Sequence, residues 1–307
     1  MMHSSYFEKK CDCEHTIEIE MSQNTDFLCI NCKVCGGNYL FKISQYIVNS
    51  MLGSGGSGQV YLATDHNGKQ VALKTLAHPT QANLKHFERE CSMQQKLQHK
   101  NIIQLLDQGN HGDLYYLVME YFPGQTFDEI ITERGYLTPR EAIKIILSVL
   151  SGLAYADKLN MVHRDIKPEN IYITDDGQVK ILDMGLAKIV DETYGLTDAE
   201  AIKGSPYFMS PEQLAATKTA DIRADIYSVG ATLYNALCGV EPFSGHKTIL
   251  QVAIAKKENK YQSLKDYDIE ISPELIRIVE KSMALIDSRY QNPQEMMQDL
   301  YDLYKNL

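Results

Sequence analysis

The stretch Met161 to Asn170 reads M-V-H-R-D-I-K-P-E-N and gathers polar side chains between two apolar runs, Ile145 to Leu159 and Ile171 to Ile173. A loop held on both sides by core-forming segments is a natural place for reactive groups. Asp165 can accept a proton from a hydroxyl, Lys167 can stabilise anionic oxygens, and the amide oxygen of Asn170 can hold a hard cation. Together these are the parts of a phosphoryl-transfer site.

Other stretches supply what such chemistry needs around it. Gly53, Gly55 and Gly58 fall in G-S-G-G-S-G-Q-V, between a strand-like Tyr46 to Leu52 and a returning Val60 to Thr64. Missing side chains there let backbone amides approach phosphates closely. A dinucleotide-binding loop uses a similar string but requires a helix next, whereas here another strand follows. His66-Asn67-Gly68-Lys69 signals a hairpin turn into a third strand, Gln70 to Leu76, in which Lys74 is the only charge among apolar neighbours. Such a lysine needs a carboxylate, and the helical stretch Gln81 to Leu97 offers Glu88 and Glu90. Further on, Asp175-Asp176-Gly177 turns the chain into the strand Gln178 to Leu182, which delivers Asp183.

These motifs, in this order, resemble those of protein kinases. H-R-D-I-K-P-E-N is similar to the catalytic loop H-R-D-x-x-x-x-N, Gly53 to Val60 to the glycine-rich loop G-x-G-x-x-G-x-V, and Val71-Ala72-Leu73-Lys74 to V-A-I-K. The resemblance implies that Lys74 contacts the α and β phosphates of ATP and selects Glu90 as its partner, leaving Glu88 as a solvated helix residue. It places Leu52, Val60, Ala72 and Tyr172 in the nucleotide site, with Met119 as gatekeeper and backbone groups of Glu120 and Phe122 against adenine. Asp165 becomes the catalytic base, Lys167 the stabiliser of the moving phosphoryl, and Asn170 and Asp183 the magnesium ligands, manganese being an alternative metal. Where the family has Asp-Phe-Gly this chain has Asp183-Met184-Gly185, an apolar replacement that bears on switching more than on chemistry.

The segment Gly204 to Glu212 resembles the end of an activation segment. Asp225, in a helix resembling the family's central one, is expected to anchor the catalytic loop backbone, and Arg289 to pair with Glu212. Arg164 implies a switch, because the family's arginine there commonly receives an activation-segment phosphate; Thr197, then Thr193, are the candidate acceptors. Lys167 and the wording D-I-Y-S-V-G-A-T-L-Y point to the serine/threonine class and its bacterial branch.

The cysteines are uneven. Cys11, Cys13, Cys29, Cys32 and Cys35 crowd the front, while Cys91 and Cys238 stand alone in helical patterns as small core residues. Cys32-Lys33-Val34-Cys35-Gly36-Gly37 and Cys11-Asp12-Cys13 bracket a strand-like Thr16 to Glu20 and resemble a zinc ribbon. Cys11, Cys13, Cys32 and Cys35 are the preferred structural zinc ligands; Cys29-x-x-Cys32 is an equally spaced pair, and His15 could replace one thiolate. Reduced thiols on a loose tail are the plain alternative.

Length and composition bound the rest. A chain of 307 residues exceeds the usual single core and suggests two lobes. The net charge of -10 excludes a general nucleic-acid or anionic-membrane binder. No apolar run approaches the roughly 20 residues that cross a bilayer, and Met1 to Lys10 lacks a signal-peptide core, so a cytoplasmic location is expected short of export by a specialised system. The expected fold is α+β: a bilobal protein kinase over residues 43–307, with a β-rich N-lobe of about 43–120 and a helical C-lobe of about 121–307, preceded by a zinc ribbon over 1–42. Protein substrates with Ser/Thr acceptors are the expected partners, and a homodimer is one arrangement that would serve autophosphorylation. The runner-up is a pseudokinase, a nucleotide-binding scaffold recruiting partners through the ribbon; the filled catalytic positions weigh against it.

Overall fold

The computed structural model describes residues 5–10, 16–21, 27–31, 34–35, 38–55, 58–77, 91–92, 94–112, 114–184, 205–216 and 220–307. The chain divides into two compact units, residues 1–85 with 105–121, and residues 86–104 with 122–307.

The first unit is built on strands. β1 (Ser5–Lys10) and β2 (Thr16–Met21) form a separate antiparallel hairpin. β3 (Phe27–Asn31), β4 (Asn38–Ile43), β5 (Tyr46–Gly55), β6 (Gly58–Thr64), β7 (Gln70–Ala77), β8 (Leu105–His111) and β9 (Leu114–Glu120) make one sheet in the order β3-β4-β5-β6-β7-β9-β8. The expected boundary at 42/43 falls inside β4, which pairs with β5 through Lys42 opposite Ile47 and Ile43 opposite Tyr46. The hairpin of β3 and β4 therefore continues the sheet.

Period-two alternation decides which faces are buried. On β7, Val71 and Leu73 join Leu40, Ile43, Tyr46, Val48, Tyr61, Ala63, Tyr116 and Val118 in one apolar cluster, with Phe27 packed against it. The sheet curls far enough for its two edge strands to meet: the Phe27 ring on β3 stacks on His111 of β8, centroids 4.5 Å apart. Tyr46 on β5 donates to Asp107 Oδ2 on β8 at 2.7 Å. Burial and that carboxylate push the tyrosine pKa up.

The second unit is helical around a small sheet. β10 (Gly124–Thr126), β11 (Ile171–Thr174) and β12 (Val179–Ile181) pair antiparallel. Among the described residues, the helices include α1 (Phe127–Arg134), α2 (Pro139–Lys158), α3 (Pro211–Ala216), α4 (Ile222–Cys238), α5 (Ile249–Lys257), α6 (Pro273–Ser282) and α7 (Pro293–Tyr304). The expected capping box appears at α2, where the Thr138 hydroxyl accepts from Glu141 N–H and the Glu141 carboxylate accepts from Thr138 N–H. Ser272 and Asn292 likewise cap α6 and α7.

α4 is the axis of this unit, with Ile226, Val229, Leu233 and Leu237 all buried in a core shared with Ile143, Ile146, Leu150 and Leu153 of α2. At Gly230 a side chain would collide with Ser282 of α6, so the glycine sets how closely the two helices pack. Cys238 is half-buried at the end of α4, its thiol donating to Tyr234 O at 3.2 Å and pushed up to about 11 by burial. Cys91 is fully buried.

Candidate active site

In the first unit, Gly55 and Gly58 face each other where β5 meets β6, and Gly53 lies opposite Val60. Gly58 has φ +130°, and a Cβ there would run into the carbonyl of Thr75. Only glycine fits that backbone approach. Val60 sits opposite Lys74, and Lys74 opposite Leu117 of β9, so the one charge of β7 is embedded between strands and 6% exposed. Ala72 points to the same face of β7 as Lys74, away from Val71 and Leu73. Leu52 is exposed, Met119 is buried opposite Ala72, and Glu120 closes β9. Glu90 lies outside the described residues, as do Thr193 and Thr197.

In the second unit the chain from His163 to Asn170 is fixed by backbone contacts. The buried Asp225 carboxylate accepts the N–H groups of His163 and Arg164, each at 2.7 Å. Burial pushes the Asp225 carboxyl up while the two N–H donors and His163 pull it down, and burial dominates. Gln213 donates from its side chain to Arg164 O at 2.9 Å. Arg164 is thereby held at φ +69°, a left-handed backbone that costs a non-glycine residue about 1–3 kcal/mol. His163 Nε2 lies 2.7 Å from Leu182 O and its Nδ1 lies 3.1 Å from the N–H of Asp165. A carbonyl only accepts, so the ring proton is on Nε2 and Nδ1 receives the Asp165 amide.

Asn170 donates to both Asp165 O at 2.7 Å and Asp165 Oδ2 at 2.8 Å, and Lys167 Nζ is 3.5 Å from Asp165 Oδ2. The three residues read from the sequence as one kit are thus within direct reach of one another. The N–H of Leu182 donates to Asn170 O at 2.9 Å, which sets Asp183 beside the same loop, at φ +52°. Met184 packs inward, 1% exposed in the large core. Glu169 has its carboxyl pushed up by burial, with Lys167 opposing. Tyr172 on β11 donates to Phe122 O at 3.2 Å.

The donor set fits a hard divalent cation. With Nδ2 of Asn170 committed to Asp165, its Oδ1 is the ligand atom left, and Asp183 adds a carboxylate. Among the described residues no group of three or more His, Cys, Asp or Glu gathers. Two protein ligands suit magnesium, which keeps waters and shares phosphate oxygens. Cys11, Cys13, His15 and Cys32 lie outside the described residues; Cys29 sits on β3 opposite Leu40, and Cys35 is exposed, 3.6 Å from the hydroxyl of Tyr39.

Glu212 and Arg289 pair as expected, at 2.6 Å and 3.2 Å, with Arg289 also donating to Arg223 O and Ala284 O. Two further residues escape sequence reading. Gln213 looks like an ordinary helix glutamine, and Lys256 like a solvated lysine near a helix end. The one available signal is that Lys256 follows the apolar run V-A-I-A.

No helix among the described residues is long and apolar enough to cross a membrane. The model of the protein kinase domain matches residues 46–301. The chain is 34% identical over 261 residues to the serine/threonine-protein kinase PrkC of Bacillus subtilis, covering 83% of this chain and 40% of that protein. It is 34% identical over 279 residues to the serine/threonine-protein kinase PknB of Mycolicibacterium smegmatis, covering 85% and 43%. The chain thus spans about two fifths of the length of these relatives. With a domain model covering most of its length and the catalytic-loop geometry in place, the chain belongs to the protein kinase family.

Proposed function

We propose that the protein transfers the γ-phosphoryl group of ATP to serine or threonine hydroxyls of proteins. One observation carries this reading: Asp165, Lys167, Asn170 and the backbone leading into Asp183 form a single hydrogen-bonded cluster. Asp165 orients the acceptor hydroxyl and takes its proton, while Lys167, 3.5 Å away, neutralises negative charge that builds on the transferred group. Asn170 and Asp183 would hold magnesium, which when bound supplies charge neutralisation at the phosphates. Lys74 orients the nucleotide, with Glu90 as its expected partner. The names of the relatives support serine/threonine specificity. Incubation of the chain with labelled ATP, magnesium and a pool of Ser/Thr peptides, beside Asp165→Asn, tests it. Label on peptide from the wild type alone supports the enzyme; none from either favours the scaffold, and equal label from both takes Asp165 out of the mechanism.

The switch at Arg164 is part of the same reading. Among the described residues its buried Nε has no hydrogen-bond partner, and its Nη2 reaches Ala220 O only at 3.5 Å, so donors remain for a phosphate on Thr197 or Thr193. Full activity of a Thr193→Ala, Thr197→Ala variant would remove it. A structural zinc at Cys11, Cys13, Cys32 and Cys35 is supported by connectivity: 11–15 joins the paired ends of β1 and β2, and 32–37 joins those of β3 and β4. Two ligand-bearing hairpin ends are what a ribbon needs. Metal analysis should find about one zinc per chain, lost in Cys32→Ser, Cys35→Ser.

A further inference from the structure

Lys256 is the most deeply buried lysine described, 1% exposed near the end of α5. Its ammonium donates to Tyr207 O and Met209 O, both at 2.7 Å, and to the Tyr227 hydroxyl at 3.3 Å. The rings of Tyr227 and Phe243 lie 4.7 Å and 4.6 Å from it. Its partners are thus carbonyls, a hydroxyl and ring faces rather than a carboxylate. Burial holds its pKa well below the usual lysine range. A buried ammonium with no carboxylate partner carries a large desolvation cost, and its hydrogen bonds to two backbone carbonyls fix where those carbonyls sit.

The two carbonyls it grips lead elsewhere. Ser210, next after Met209 and fully buried, donates its N–H to Gln213 Oε1 at 3.1 Å. The amide nitrogen of the same Gln213 side chain donates to Arg164 O at 2.9 Å, and the residue after Arg164 is Asp165. A continuous polar path therefore runs from the Lys256 ammonium through Met209, Ser210 and Gln213 to the backbone of the catalytic loop. Met209 and Ser210 are joined by their peptide bond, the other links are hydrogen bonds of ordinary length, and Asp225 clamps the far side of Arg164.

We infer that Lys256 is a positioning residue: it holds the 207–210 segment in register with Asp165, so that an acceptor peptide's hydroxyl meets the base correctly. It acts through backbone and touches neither nucleotide nor the reacting atoms. The inference rests on the kinase reading, and its test separates the two. Misplacing a reactant by about 1 Å can cost up to about 100-fold. A water molecule, free to approach Asp165 from many directions, loses far less.

The experiment compares transfer to a Ser/Thr peptide pool with transfer to water, both from magnesium-ATP, in the full chain carrying Lys256→Met. Peptide transfer should fall about tenfold or more while hydrolysis by water and nucleotide Kd hold. A lysine with a merely structural role would lower both rates in proportion to the folded fraction, and that result, or no change in either, overturns the inference. If Lys256→Met does not fold, Gln213→Met cuts the same path one link later and must shift the same ratio. A wild-type chain that transfers to neither acceptor counts against the kinase reading instead.

Discussion

Asp225 of α4 accepts the backbone N–H of Arg164 at 2.7 Å, 61 residues apart in the chain, and its second oxygen takes the N–H of His163. One buried carboxylate thus satisfies two consecutive amides of a loop that cannot pair them by regular secondary structure. Asp225→Asn keeps the volume but turns one oxygen into a donor facing an N–H. Leaving a buried donor unsatisfied costs about 1–3 kcal/mol, and the released Arg164 can leave its left-handed backbone. Thermal melting should fall accordingly and peptide transfer should drop by more than the folded fraction explains. A melt and a rate both equal to wild type would refute the role.

On the proposed function Asp165 and Asp183 carry charge for chemistry rather than packing, so their amides should be isosteric replacements as far as the fold is concerned. Asp165→Asn and Asp183→Asn are each expected to lower peptide transfer by about 100-fold or more with melting midpoints close to wild type. Only the Asp183 change should weaken the magnesium dependence of nucleotide binding. Undiminished autophosphorylation in Asp165→Asn would remove it from the mechanism.

What could be read in advance divides by the range of the interaction. The Thr138 capping box, the Ser272 and Asn292 caps and the strand of Lys74 are local, written in spacing alone. The Asp165–Lys167–Asn170 kit is also local, and its members do touch. The Glu212–Arg289 and Asp225 contacts are long-range and became legible only through the family resemblance. β5 runs on to Gly55, past the expected end at Leu52, because its backbone pairing with Gly58 needs no side chain. Lys256 and Gln213 are not legible in the sequence, since most of their partners are backbone groups, which every residue offers. The expected ribbon over 1–42 ends where the composition turns globular, near Phe41, yet β4 pairs with β5 and Leu40, Phe41 and Ile43 are buried, so that change of composition does not mark an edge of the sheet.

Gln94 is fully buried, and among the described residues neither its Oε1 nor its Nε2 has a partner. Two buried polar atoms without partners cost free energy that a hydrocarbon side chain would not. Gln94→Leu should raise stability by about 1–3 kcal/mol, read as a higher midpoint in urea with the slope unchanged. A lowered midpoint would mean that the amide finds partners in solution.

The Glu212–Arg289 pair gives a pH signature. Burial raises the Glu212 carboxyl, but Arg289's hydrogen bonds and charge outweigh it and the folded value lies below the usual 4.5. An acid whose folded pKa is depressed contributes stability that is complete above its unfolded value and is lost as pH falls through the folded one. The stability advantage of wild type over Glu212→Gln should therefore be constant near neutrality and shrink below about pH 4.5. Paired melts between pH 7 and 3.5 measure it. A gap that widens on acidification would reverse the sign and exclude the ion pair as its source.

The Phe27–His111 stack joins the two edges of the seven-stranded sheet, and β7, the strand that carries Lys74 on one face, buries Val71 and Leu73 in the core that Leu40 and Ile43 complete. Loosening the hairpin should therefore be felt on β7. An aromatic pair contributes about 0.5–1.5 kcal/mol beyond its area, so Phe27→Ala should destabilise this unit by that amount plus the lost burial. Hydrogen exchange in this chain is the direct measurement. Amides of β4, β5 and β7 should exchange faster in Phe27→Ala, those of α4 should be unaffected, and the Kd for magnesium and a non-hydrolysable ATP analogue should rise severalfold. If β3 and β4 exchange freely in the variant while β7 and the Kd stay as in wild type, the hairpin is an appendage to the sheet rather than a working part of it.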